Sequence, residues 1–335
     1  MEVTFSVIIF TKNSISTIKD LVESLKTQKV NHNYEIICVD SGSKDGTVEY
    51  LKSNNMRLIQ IPEREFHHSR TRMRAAKLAK GKFVIFLTDD ILPTGSYFLE
   101  NLTKPVLEGK AEASYGVHQV GGNKLYDPID AFLHNKWYLE YEDISEPISM
   151  NDWHRMKPEI RRKICNFDNC ASCINKDTLL KFKLPDVPYG EDMCFAKRLI
   201  LNNCRVALAK KAKFYHWHNS SFSYVLKRMC IDQHLSIKEF GLYYVSRLIG
   251  VVKAIVIRAL YRSYIALFKL DISLGKKIYW IVYNIKLLTA DFLGKYIGTL
   301  DESKTRGILS PLKKRLFKLK KDILNKINTK ALMRY

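Results

Sequence analysis

The sequence predicts an α/β protein: a mostly parallel sheet flanked by helices, followed by a basic helical C-terminal extension. Three observations carry that expectation. Short apolar runs rich in β-branched and aromatic residues alternate with helical periodicity through the first hundred residues. The segments that follow those runs are polar, and two of them are acidic. Charge is also uneven, because residues 241–335 hold 20 of the 55 Lys and Arg but 5 of the 34 Asp and Glu.

The apolar runs at 5–10 (FSVIIF), 34–39 (YEIICV), 56–61 and 83–87 (FVIFL) read as buried strands. Between them, 16–28 places Ile18, Leu21, Val22 and Leu25 on one helical face, with Ser16 as a cap. Further helices are expected at 46–53 and 69–79. Strand and helix in alternation imply right-handed crossovers and a parallel sheet. From 99 to 213 the pattern is interrupted by Pro105, Pro128, Pro147, Pro158, Pro185 and Pro188. Gly190-Glu191-Asp192 then opens a helix to Leu201, 213–218 reads as a strand, and a basic helix starts near 223.

The extension reads as amphipathic helix. Arg247, Arg258, Arg262 and Lys269 fall within about 60° of one another at ~100° per residue. Leu309, Leu312, Leu316, Leu319, Ile323 and Ile327 form a second stripe, with Lys313, Lys314, Arg315, Lys320 and Lys321 outside it. This pattern suits an anionic membrane surface, and its alternative is a helix packed on the rest of the protein. No apolar run reaches the ~18 residues of a spanning helix. The start, MEVT, lacks the basic region of an export signal. The seven cysteines show no disulfide framework or zinc-ligand spacing, as expected of reduced thiols.

In parallel sheets ligands bind beyond the carboxyl ends of the strands. Here those ends carry Thr11-Lys12-Asn13, Asp40-Ser41-Gly42 and Thr88-Asp89-Asp90. Neither a G-x-G-x-x-G turn nor a G-x-x-x-x-G-K-[ST] loop is present, which argues against hydride transfer and P-loop chemistry. Acidic strand ends suit a divalent cation, Mg²⁺ or Mn²⁺, and a base or ribose. His216 and His218 alternate on the expected strand and would face one way with Phe214. Asp45 could contact a ligand or simply cap the next helix.

The runs FSVIIFTKNSISTIKDLVESLKTQ, YEIICVDSGSKDGTVEYL and KFVIFLTDDILP resemble the nucleotide-sugar-binding half of the family 2 glycosyltransferases, with their Rossmann-like GT-A fold. EFHHSRTR, the later GED and the HWH pattern are similar to rhamnosyltransferase-like members, and the resemblance covers about 4–235. It implies a catalytic domain over 1–235, with a donor half at 1–98 and an acceptor half at 99–235, and an extension over 236–335.

The resemblance also implies roles. Thr11, Asn13, Asp40, Ser41, His68, Arg72 and Asp89 would bind the donor, with Asp40 accepting from a uracil or thymine imide. Asp90 and His216 would hold the metal; the family's Asp-x-Asp has Thr88 in its first place here. Asp192 would be the general base, with Asp168, Asn169 and Glu191 on the acceptor side. The implied reaction is inverting transfer from a UDP- or dTDP-sugar to a saccharide or lipid-linked saccharide, in polysaccharide synthesis at the cytoplasmic face of a bacterial membrane. A sugar nucleotidyltransferase should instead open with a Gly-rich, Arg-containing loop. A nucleic-acid binder should carry basic and aromatic residues across its body; the body is nearly neutral, so no nucleic acid is expected.

Overall fold

The computed structural model describes residues 2–122, 125–187, 189–303 and 310–329. The chain divides into two compact units. The first comprises Met1–Lys124, His134–Met156 and Lys163–Trp217, and the second Leu125–Leu133, Lys157–Arg162 and His218–Tyr335.

Among the described residues of the first unit, nine strands form one sheet. They are β1 (Phe5–Thr11), β2 (Tyr34–Asp40), β3 (Arg57–Gln60), β4 (Phe83–Thr88), β5 (Leu92–Pro93), β6 (Ala113–Gln119), β7 (Ile144–Ser145), β8 (Ala171–Asn175) and β9 (Val206–Tyr215). Their order is β3-β2-β1-β4-β8-β6-β9-β5, with β7 on β9. β3, β2, β1 and β4 run parallel, whereas β8 is antiparallel to both β4 and β6. Every residue of β1 is buried, as a central strand covered on both faces requires.

The helices are α1 (Ile15–Lys26), α2 (Thr47–Ser53), α3 (His68–Leu78), α4 (Phe98–Leu107), α5 (Pro128–His134), α6 (Met150–Arg155), α7 (Pro158–Ile164), α8 (Lys176–Phe182) and α9 (Glu191–Ile200). α1 buries Ile18, Leu21, Val22 and Leu25, the four residues its periodicity singles out. It starts earlier than expected, with Ser14 rather than Ser16 at the cap position. The expected strand over 213–218 is displaced as well. β9 spans Val206–Tyr215, so His216 and His218 lie beyond the strand and the alternation argument for their facing does not apply.

The second unit contains most of α5 and of α7, together with α10 (Phe222–Phe240), α11 (Leu248–Phe268), α12 (Leu274–Thr299) and α13 (Ser310–Thr329). The boundary expected at 235/236 falls inside α10. Val245, Val251, Leu288, Phe292, Tyr296 and Leu300 form its core, with Leu316 and Phe317 packed on it. α10 and α12 approach very closely at Gly294 and Gly298. A Cβ on Gly298 would lie 2.6 Å from the Cys230 carbonyl oxygen, closer than any side chain tolerates.

α13 departs from its expected stripe. Lys320 is buried, and its Nζ donates to the carbonyls of Gly298 and Leu300 at 2.7 Å each, while Leu312 and Leu319 are exposed. The carbonyls at the end of α12 lack helical partners, and an ammonium satisfies them. Leu309 and the side chain of Ile327 lie outside the described residues. No helix among the described residues is long and apolar enough to cross a membrane.

Candidate active site

Parallel pairing aligns the carboxyl ends of three strands: Thr11 sits beside Asp40, and Phe10 beside Thr88. A crevice at that edge is where such sheets take ligands. Asp40 is fully buried, and its carboxylate accepts from Gly42 N at 2.9 Å, Ser43 N at 3.0 Å and Thr11 Oγ1 at 3.2 Å, and from the Ser43 hydroxyl. The group expected to read a base therefore also shapes its own turn. Ser41 N donates to Thr11 O at 3.0 Å. Asn13, in the left-handed region at φ 48°, accepts from Lys44 N at 2.8 Å. Asp45 accepts from Ile15 N at 3.0 Å, at the start of α1, and from Thr47 N at 3.1 Å, at the start of α2, while Gly46 holds the N-cap position of α2.

The next cluster follows from register. β8 pairs with β4 so that Leu87 opposes Ala171, and Thr88 N donates to Cys170 O at 3.1 Å. That brings Asp168-Asn169-Cys170 beside Asp89-Asp90. Asp89 is fully buried and accepts from Lys12 N at 3.2 Å, joining the loops after β1 and β4. Asp168 accepts from Cys170 N at 2.8 Å, and the buried Asn169 accepts from Ser172 Oγ at 2.9 Å. Burial pushes the Cys170 thiol well up, and the charges of Asp168, Asp90 and Asp192 push it further. Three acidic side chains from separate stretches of chain thus converge on one thiol.

Gly190, at φ 70°, adopts the left-handed conformation that glycine tolerates without strain and turns the chain into α9. Glu191 and Asp192 follow, with opposite environments. Glu191 meets Arg72 at 3.0 Å, both side chains over nine-tenths buried. Burial works to raise the Glu191 carboxyl, but Arg72 and His68 outweigh it and hold it below its ordinary value. For Asp192 burial acts first, the charges of Glu191 and Asp168 add to it, and the carboxyl is pushed up to about 7. Two neighbouring carboxyls driven apart in this way are fitted to different tasks, one a fixed anion and one a proton acceptor near neutrality.

Arg72 itself stacks over Phe10 with its guanidinium 5.1 Å from the ring centroid, and its Nη1 lies 3.3 Å from His68 Nδ1. The start of α3 is tied down by the Ser69 hydroxyl, which donates to Pro185 O at 2.5 Å, and by Arg70 on Asp186. Arg72, expected at the donor, therefore spends at least one guanidinium nitrogen on Glu191.

His216 reaches Asp90 by a second register. β9 pairs with β5, Tyr215 opposite Leu92, and β6 places Gln119 opposite Tyr215. His216 Nε2 lies 3.5 Å from Asp90 Oδ1. Among the described residues, Asp90 and His216, with His218 one residue past Trp217 in the chain, form the group whose chemistry suits a metal ion. One carboxylate with imidazoles is a mixed oxygen and nitrogen set, which fits Mn²⁺ better than the all-oxygen preference of Mg²⁺.

Sequence reasoning missed His118. It lies in β6 opposite Phe214, and its ring sits 5.1 Å from that of His216 and 4.9 Å from that of His134. Its Nε2 also touches the His216 carbonyl oxygen. β6 reads ASYGVHQ, too small and polar for an apolar-run search, so nothing local marked the strand.

The model for "Glycosyl transferase family 2" matches residues 6–183, more than half of the chain. Among curated proteins no sequence matches. Among solved structures, a mannosyltransferase from Pyrobaculum calidifontis in complex with GDP-Man and Mn²⁺ is similar at 16% identity and a TM-score of 0.50, over 98% of this chain and 85% of that one. S. aureus TarS 1–349 in complex with UDP-GlcNAc is 18% identical over 97% of this chain and 90% of that one, with a TM-score of 0.49. Glucosyl-3-phosphoglycerate synthase from Mycobacterium tuberculosis is 18% identical over 71% and 80%, also with a TM-score of 0.49. The likeness to the mannosyltransferase is one of fold, and the matched family model carries the GT-A-like fold and the enzyme class: the chain belongs to glycosyl transferase family 2 and is a glycosyltransferase.

Proposed function

We propose that the enzyme transfers a hexose or deoxyhexose, rhamnose among them, from a UDP- or dTDP-linked donor to a hydroxyl of a saccharide or lipid-linked saccharide. The observation that supports this reading most is the gathering of Asp90, Asp168 and Asp192 about Cys170, with Asp192 poised to take a proton near neutrality.

Asp192 takes the proton of the acceptor hydroxyl as its oxygen attacks the anomeric carbon. One base and one displacement give inversion. Arg72 and Glu191 act as a buried ion pair that positions the start of α9 and keeps a negative charge beside Asp192. Asp168 and Asn169 line the acceptor side, while Thr11, Asn13, Ser41 and Asp40 frame the nucleoside and His68 lies toward the diphosphate. A divalent cation, Mn²⁺ or Mg²⁺, would be held by Asp90, His216 and His218 and, when bound, neutralises charge on the departing diphosphate. Asp89, by accepting from Lys12 N, holds the two loops that border that place.

The basic helical unit suits work at the inner face of a bacterial membrane, where lipid-linked acceptors of surface polysaccharide synthesis lie. The test of the catalytic reading is calorimetry with UDP- and dTDP-sugars, with and without Mn²⁺, on the wild type and Asp90→Ala. The wild type should bind donor more tightly with metal and the variant should not; identical titrations for the two proteins would remove Asp90 from the site.

A further inference from the structure

α11 packs on the rest of the second unit through the buried Val251, Ile265 and Ala266 and through two arginines: Arg262 bonds the Asn284 side chain and lies 3.4 Å from Asp130 Oδ1, and Arg258, itself exposed, lies 5.3 Å from the centroid of the Phe292 ring. Its opposite side is apolar and exposed. Ile249, Val252, Val256, Leu260, Tyr264 and Phe268 follow one another at three- and four-residue steps, and Ile249, Leu260 and Phe268 are 73%, 68% and 72% exposed. The first turns of α12 continue the pattern with exposed Leu274, Ile278, Val282 and Ile285. A helix that meets water on its free side presents the reverse arrangement, and an apolar surface spanning two helices marks a site of association.

We infer that this exposed face of α11 and the start of α12 docks on the surface of an anionic lipid bilayer, a reading that rests on the membrane association proposed above and moves it away from α13. Charge selects the occupant. Residues 247–286 hold eight Lys and Arg against the single Asp271, and Lys253, Lys269, Lys276 and Lys286 are exposed around the apolar residues. Such cations attract anionic headgroups, and their long stems let the ammonium groups rise to headgroup level while the apolar residues enter the acyl boundary. Exposed Tyr261, Tyr264 and Tyr279 add the aromatic, polar-tipped side chains that settle at that interface. Neither helix is apolar enough to cross, so the pair lies in the interface plane. α13 contributes less, because Leu316, Phe317, Lys320 and Ile323 face the second unit's own core.

The test is flotation of the full-length protein with phosphatidylcholine vesicles, with and without phosphatidylglycerol. Wild-type protein should float with the anionic vesicles and much less with the neutral ones. Leu260→Asp combined with Phe268→Asp should lower the bound fraction about tenfold or more, since each apolar side chain withdrawn from lipid is worth about a decade or more of affinity. Lys313→Glu with Lys314→Glu should lower it far less. Turnover of donor by the same preparations is read separately and reports on the catalytic reading. Wild-type protein that turns over donor yet floats with neither vesicle would end the membrane reading and this inference with it. Undiminished flotation of the double variant would overturn this face while leaving membrane association standing. A wild-type dimer in light scattering that the double variant dissolves would assign the face to a second copy. If the double variant does not fold, Phe268→Trp serves: its emission should shift to the blue on adding anionic vesicles, and an unshifted spectrum overturns the inference.

Discussion

The two units bury their chemistry in opposite senses. In the first, Val7, Ile9, Ile85 and Leu87 fill the sheet core, and charged side chains gather at the strand ends, where Arg72 and Glu191 are the buried pair. In the second, Arg262 and Lys320 turn inward to satisfy an amide, a carboxylate and helix-end carbonyls, while Ile249, Val256, Leu260 and Phe268 of α11 stay outside. The lesson concerns solvent. The first unit arranges its residues as water demands, whereas the second exposes what water would drive inward.

The sharpest way to break this contrast is at Asp192, the proposed general base. Asp192→Asn should cut transfer by about a thousandfold, within the range for loss of a general base, while calorimetric donor affinity stays close to wild type. A turnover rate near wild type would return Asp192 to a mere helix-start acid.

A second test asks what the buried ion pair contributes. Glu191→Gln leaves the Arg72 guanidinium buried beside a neutral amide, and should destabilise the protein by about 3 kcal/mol in denaturant unfolding. It should also lower the Asp192 pKa by removing an adjacent negative charge, moving the acid limb of the pH–rate profile down.

In the second unit, Lys320→Ala removes two charge-assisted hydrogen bonds to the end of α12 and should cost about 2 kcal/mol. A value near zero would mean that α13 is held by its apolar contacts alone.

The smallest effect is on pH. Asp192 is pushed up to about 7 from 3.8, so between those values the folded protein holds a proton that the unfolded chain gives up. Stability from this group therefore falls as pH rises from about 4 toward about 7, while kcat/KM rises through the same upper limit as the base becomes available. Asp192→Asn should flatten that part of the stability profile.

Much of the first unit was legible in the chain because its signals are local. The runs at 5–10, 34–39 and 83–87 are apolar enough to be strands in any context, and α1 declares its buried face at 3.6-residue spacing. β6 and β8 were not legible. ASYGVHQ and ASCIN are small, partly polar segments whose strand state depends on neighbours distant in sequence. His118 was hidden for the same reason, and the end of β9 was misplaced because KFYHWH alternates past the point where its partner strands stop.

Alone, the order of residues determined the parallel sheet, the acidic ends of its strands, the helix opened by Gly190 and the cationic extension, since each follows from short-range periodicity, backbone freedom or simple charge. Tertiary structure decided which of those acids meet, that Glu191 is claimed by Arg72 while Asp192 is left to ionise near neutrality, and which side of α11 is turned outward. Those outcomes depend on register between strands and on packing between helices, and each juxtaposes groups that tens of residues of chain keep apart.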